Sequence, residues 1–188
     1  PEELTALLNE YLSAMTDIIQ EEGGTIDKYE GDAIIAFWNA PLDQSDHAVR
    51  AVRAALRCQS RLAEMRPAFK DRVGKDLFMR IGLNSGPAVV GNMGSRSRFD
   101  YTMLGDAVNL ASRLEGLNKF YGTTIMASDA TVGEAGDGLE FRELDLGAVK
   151  GREAPVRVFE VLALKGDLPP EMAAAREEFA QALRLQPD

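Results

Sequence analysis

The chain has 188 residues and little of what many catalytic and scaffolding chemistries draw on: one cysteine, Cys58, one histidine, His47, and one tryptophan, Trp38. A lone thiol cannot close an internal disulfide, so a secreted, cross-linked scaffold is excluded and a reducing, cytoplasmic setting is expected. A lone imidazole leaves no material for a His-based zinc site or a Ser-His-Asp relay. Lys and Arg number 21 against 30 Asp and Glu, a formal charge of −9, which argues against nucleic acid as a partner. No run approaches the roughly 18 apolar residues of a membrane span. The opening PEELTALLNEYL carries acids where a signal peptide carries bases. No membrane contact by this piece is expected, although a longer parent chain could be tethered. What remains, 45% hydrophobic and 27% charged, is the composition of a globular protein long enough to bury a core without staples.

Periodicity divides the chain into helices and strands. Leu4, Leu7, Leu8, Tyr11, Leu12, Met15, Ile18 and Ile19 recur at helical spacing until Gly23-Gly24 stops them. TIDKYEGDAIIAFW reads as a β-hairpin with Gly31-Asp32 at its tip. A long helix is predicted from Ser45 to about Arg66, with Ala48, Val52, Ala55, Leu62 and Met65 inward and Pro67 as its end. Two short strands flank Ser85-Gly86-Pro87, and an exposed polar loop follows from Gly94 to Arg98. Asp106 is expected to cap a helix that ends at Gly122, with Val108, Leu110, Ala111, Leu114 and Leu117 inward. TTIMAS, a short helix near residues 128–134, and two antiparallel strands across Lys150-Gly151 complete an α+β pattern. A terminal amphipathic helix is predicted over residues 170–184.

Within this pattern the local structure aims a few polar groups. Asp32 stands at a hairpin tip, Lys28 on the strand entering it, and Asn109 and Arg113 lie one helical turn apart on a shared face. A carboxylate at a tight turn suits a hard cation that also binds substrate phosphates. An Asp after Gly is equally explained as turn chemistry, and an Asn-Arg pair as a solvated helix face. Asp17 falls between Met15 and Ile18 in the apolar series, so it is read as a solvent-facing helix residue and not a ligand. Cys58 reads as a small packed hydrophobe and His47 as structural. The segments GNMGS and SGPAVVG match no phosphate-loop or dinucleotide fingerprint.

The segments DKYEGDAIIAFWNAP, RIGLNSGPAVVGNMGS and YTMLGDAVNLASRLE, in this order, resemble a class III nucleotidyl cyclase catalytic domain of the bacterial adenylate cyclase type. The resemblance covers roughly residues 1–163. It implies a ferredoxin-like βαββαβ core with extra C-terminal strands over residues 1–165, and a C-terminal helix or connector over residues 166–188. It also implies a homodimer whose two sites are shared, one chain giving metal-binding aspartates and the other the nucleotide contacts. By resemblance Asp32 is a metal ligand for one of two Mg²⁺ or Mn²⁺ ions, Lys28 and Thr102 read the purine, Asn109 touches the ribose, Arg113 steadies the transition state, and Lys150 holds the triphosphate.

Donor and acceptor chemistry then favours ATP. Lys28 only donates, which suits adenine N1 and opposes the N1–H of guanine, while the Thr102 hydroxyl can accept from the adenine amino group. The implied products are cyclic AMP and pyrophosphate. The family's first core strand, with its second metal aspartate, is absent from this chain, so weak or no activity is expected of the 188 residues alone. An upstream sensor domain in the parent chain is implied as well. A silent cyclase-homology module serving regulation or dimerisation, and a guanylate cyclase, stay as alternatives. A diguanylate cyclase fits less well, because the hairpin reads YEGDA without a Gly-Gly-Asp-Glu run.

Overall fold

The apolar spacing at the start of the chain forms α1 (Glu2–Glu21), with Glu2 and Glu3 in its first turn, where acids favour the positive end of the helix. The structure is a computed structural model that describes residues 2–147 and 155–184. By contacts the chain forms two compact units, residues 1–79 with 87–105, and residues 80–86 with 106–188. The whole is mixed α+β, as the alternation of periods predicts.

In the first unit α1 buries Leu7, Tyr11, Met15, Ile18 and Ile19. It packs on α2 (His47–Val73), which buries all five predicted inward residues together with Ala54, Cys58 and Phe69. Burial pushes the Cys58 thiol up to about 12, so it packs as a hydrophobe and is no nucleophile at neutral pH. Glu22 joins the helices by accepting from Arg53 Nε at 3.0 Å and Arg57 Nη1 at 2.9 Å. Asp17 is exposed, as its place in the series requires.

Pro67 does not end α2, which runs on to Val73. The carbonyl that Pro67 leaves without its helical donor belongs to Ala63, and Ala63 is exposed, so water can satisfy it. Two residues beyond the proline, Phe69 is buried and holds the next turn on the core. The stop comes instead at Gly74, at φ 72°, whose N–H donates to Lys70 O at 2.8 Å.

The same unit holds two separate two-stranded sheets, β1 (Thr25–Glu30) with β2 (Ala33–Phe37), and β4 (Val89–Gly94) with β5 (Phe99–Leu104), both antiparallel. β5 was not expected from the sequence, which suggests no element between the polar loop and the helix at Asp106. The polar loop before it is exposed as expected.

The second unit is a four-stranded sheet in the order β3 (Ile81–Leu83), β6 (Ile125–Ser128), β8 (Val156–Leu164), β7 (Leu139–Gly147). β3 runs parallel to β6, and the other pairs are antiparallel. Against it lies α3 (Asp106–Tyr121), whose Leu110 and Leu114 share a core with Met126, Leu144, Val156 and Val158. The helix α4 (Asp129–Ala135) is capped by Ser128, which accepts from the Thr131 N–H. The terminal α5 (Pro170–Arg184) packs on β7: Arg176 pairs with Glu140, and the Arg142 guanidinium lies 4.9 Å from the Phe179 ring centroid.

Gly82 is where α3 meets the sheet. A Cβ built there would stand 2.1 Å from Ala111 O and 2.3 Å from Glu115 N, both helix backbone. Neither atom can swing away as a side-chain end would. Gly82→Ala must therefore push α3 off β3, at a cost of about 3 kcal/mol. The expected thermal midpoint falls by roughly 10 °C; a melt within 2 °C or so of the native one would mean that α3 yields freely.

Candidate active site

The hairpin that carries Lys28 and Asp32 closes through Glu30 opposite Ala33, with Gly31 at φ 65°, a left-handed backbone that only glycine adopts without strain. Asp32 follows it at the tip and is exposed, with no ion-pair partner among the described residues. An acceptor-only carboxylate so presented can bind a divalent cation together with nucleotide phosphate oxygens. No cluster of three or more ligating side chains exists among the described residues. Asp32 therefore fits as one protein ligand of a largely substrate-held ion and not as part of an all-protein cage.

β1 is irregular. Ile26 pairs with Ala36 and Lys28 with Ile35, so Asp27 is the extra residue of a bulge. A bulge re-aims the side chain it inserts, and the Asp27 side chain is only 2% exposed. Its Oδ2 accepts from the Thr102 hydroxyl at 2.8 Å and from the Met103 N–H at 3.3 Å. Its buried Oδ1 has no hydrogen-bond partner among the described residues and lies 3.7 Å from Lys28 Nζ. The two residues expected to read the purine, Lys28 and Thr102, are thus gathered around one carboxylate. The Phe37 and Tyr101 rings, 6.0 Å apart, give β5 a second tie to the hairpin.

In the second unit Asn109 and Arg113 occupy the first turns of α3, Asn109 exposed and Arg113 half-buried, while Leu110 and Leu114 turn inward on the adjoining stripe. Arg113 makes no ion pair among the described residues, which leaves its donor fork open to an anion. Asp106 is the first residue of the helix and not its cap.

Asn84 Nδ2 donates to Ala107 O at 2.9 Å, and Ser128 Oγ donates to Asn84 Oδ1 at 2.7 Å, which pins the turn before Asn109. Farther along, the fully buried Asn118 donates to Ile81 O at 2.9 Å and accepts from Thr123 Oγ1 at 2.7 Å. Lys150, expected at the triphosphate, lies outside the described residues.

Asp27, Asn84 and Asn118 were not expected from the sequence. Asn118 had a signal, because it continues the spacing of Leu110 and Leu114 and so puts a polar amide on an apolar stripe. Asp27 had none beyond standing next to Lys28. Among the described residues no helix is long and apolar enough to cross a membrane.

Residues 1–161 match the family described as the adenylate and guanylate cyclase catalytic domain. Over 164 residues the chain is 40% identical to adenylate cyclase 1 of Rhizobium meliloti (strain 1021), covering 87% of this chain and 25% of that one. The chain thus spans a quarter of the length of that relative.

Among solved structures it resembles the adenylyl cyclase CyaB from P. aeruginosa, with TM-score 0.79, 34% identity, and coverage of 90% of this chain and 87% of that one. It resembles the guanylyl cyclase Cya2 to a similar degree, with TM-score 0.78, 36% identity, and coverage of 89% and 84%. Likeness of this degree to enzymes of both base preferences leaves the purine to be argued from side chains, while it places the protein firmly: the chain belongs to the adenylate and guanylate cyclase catalytic domain family.

Proposed function

We propose that this domain is an adenylate cyclase module that converts ATP to 3′,5′-cyclic AMP and pyrophosphate at two sites shared across a homodimer. The observation that carries the choice of purine is the Lys28–Asp27–Thr102 arrangement, a donor-only ammonium beside a hydroxyl whose hydrogen is already engaged. That edge complements adenine, which offers a lone pair at N1 and donors at its amino group, and opposes guanine, which offers the reverse.

In the reaction the ribose 3′-oxygen bonds to the α-phosphorus, the bond from that phosphorus to the β-phosphate oxygen breaks, pyrophosphate leaves, and the hydroxyl proton passes to solvent. Negative charge grows on the phosphoryl oxygens, and the planar guanidinium of Arg113 is suited to meet it with two parallel donors. Asn109, one turn earlier on the same helix, is assigned to the ribose hydroxyls, where its amide would orient the attacking oxygen. Lys150 is assigned to the departing phosphates as a point charge. Asp32 would hold one of two Mg²⁺ or Mn²⁺ ions per site, and such ions would supply Lewis-acid stabilisation of that charge.

The homodimer is supported by apolar surface on the β4–β5 ribbon, where Val89, Phe99 and Leu104 are 67%, 62% and 57% exposed. Control by a sensor elsewhere in a longer parent chain is part of the same proposal. The test is a cyclase assay with ATP and GTP on this domain in its full chain. Cyclic AMP formation is expected, with kcat/KM for ATP at least about a hundredfold above GTP. A preference for GTP would make the domain a guanylate cyclase, and no product from either nucleotide would make it a silent partner.

A further inference from the structure

We infer that Asp27 is a positioning residue for purine selection, acting by taking up the one hydrogen of the Thr102 hydroxyl so that only its lone pairs face the base. This rests on the adenylate cyclase reading above and extends it to a residue that touches no substrate atom. Three observations carry it. The bulge at Asp27 turns an otherwise alternating strand residue inward. The resulting carboxylate is buried and takes the Thr102 Oγ1 hydrogen at 2.8 Å. Its second oxygen is buried, accepts no hydrogen bond from the described residues, and faces Lys28 Nζ at 3.7 Å.

A free threonine hydroxyl is indifferent, able to donate to guanine O6 as readily as to accept from the adenine amino group. With its hydrogen committed to Asp27 it can only accept. Guanine O6 then meets an acceptor where it needs a donor, and that mismatch in a desolvated site is what discriminates strongly. Met103 fixes the orientation of the device, because its backbone N–H also points at Oδ2 and requires an acceptor there.

The distinction from a purely structural carboxylate lies in a ratio. Loss of a strut between β1 and β5 slows both nucleotides alike, whereas loss of the hydroxyl's orientation changes one relative to the other. In the full chain, Asp27→Ala is expected to lower the ATP-to-GTP ratio of kcat/KM by about tenfold or more. Asp27→Asn, whose amide oxygen can serve both Thr102 and Met103, is expected to keep the ratio within about threefold of native. In a Thr102→Val background Asp27→Ala is expected to leave the ratio unmoved, since the hydroxyl it orients is gone. If the alanine variant does not fold, Asp27→Leu replaces it, matching the shape of the carboxylate without an acceptor.

Equal slowing of both substrates by Asp27→Ala, or a ratio lost as fully with Asn as with Ala, would overturn the inference. The ratio of ATP to GTP dissociation constants, measured by calorimetry on the same variants, is read alongside and is expected to rise wherever the kcat/KM ratio falls. Absence of turnover in the native chain would sink the cyclase reading, and the binding ratio would still decide the role of Asp27.

Discussion

Equal amounts of Asp32→Ala and Arg113→Ala chains, each inactive alone, regain about a quarter of native cyclase activity when mixed. Asp32 and Arg113 sit on different elements, a hairpin tip and a helix, and the proposed site takes the first from one protomer and the second from its twin. Each homodimer of a single variant therefore loses both sites, on the order of a thousandfold in kcat, as removal of a charge-stabilising group from a phosphoryl-transfer site does. Random pairing makes half of the dimers mixed. In each mixed dimer one site collects both substitutions and the other collects none. Initial rates plotted against the mixing fraction should trace an arch that peaks at equal amounts and vanishes at both ends. A mixture as inactive as its components would show that each chain builds its site alone.

Lys28→Glu is expected to lower kcat/KM for ATP by about a thousandfold. The substitution sets an acceptor against the lone pair of adenine N1 and a second negative charge beside the Asp27 carboxylate, so repulsion is added to the loss of a hydrogen bond. Stability should fall as well, since Lys28 is 46% exposed but Asp27 is only 2% exposed and loses the opposite charge 3.7 Å from its buried Oδ1. The catalytic defect is therefore read at a temperature well below the lowered melting point, where the variant is fully folded. Turnover of GTP, whose N1–H finds an acceptor in the new side chain, should suffer far less. An ATP rate within about threefold of native would remove Lys28 from base recognition.

How much of this was legible without coordinates depends on how local each determinant is. α1 and α2 were readable because their burial repeats every three or four residues and needs no partner to be recognised. The Gly31-Asp32 tip was readable because a two-residue turn announces itself by composition. The end of α2 was not, because whether a proline stops a helix depends on what faces the carbonyl it frees, and the exposure of Ala63 belongs to the fold. β5 was missed although Phe99, Tyr101 and Met103 alternate with Asp100 and Thr102. Its pairing with β4 supplies the order that six residues on their own do not carry.

The site divides in the same way. The shared face of Asn109 and Arg113 follows from helical spacing and the presentation of Asp32 from its turn, while the roles given to them rest on the family resemblance. The link from Asp27 to Thr102 joins residues 75 positions apart, and no periodicity records a contact of that range. Nor does periodicity place Asn84 under the first turn of α3. Such determinants arise when strands are brought side by side, and they are the ones that hold the recognised residues in place.

Among the described residues no third strand pairs with the β4–β5 ribbon, and Thr102 rides on it. Isolated two-stranded ribbons are marginal in water, so the amides of 89–94 and 99–104 should trade hydrogen for deuterium well ahead of those in β6, every residue of which is buried. Purine selection would then rest on a segment that breathes, and deuterium uptake there becomes a gauge of assembly: fast in separated protomers, slow once a twin covers Val89, Phe99 and Leu104.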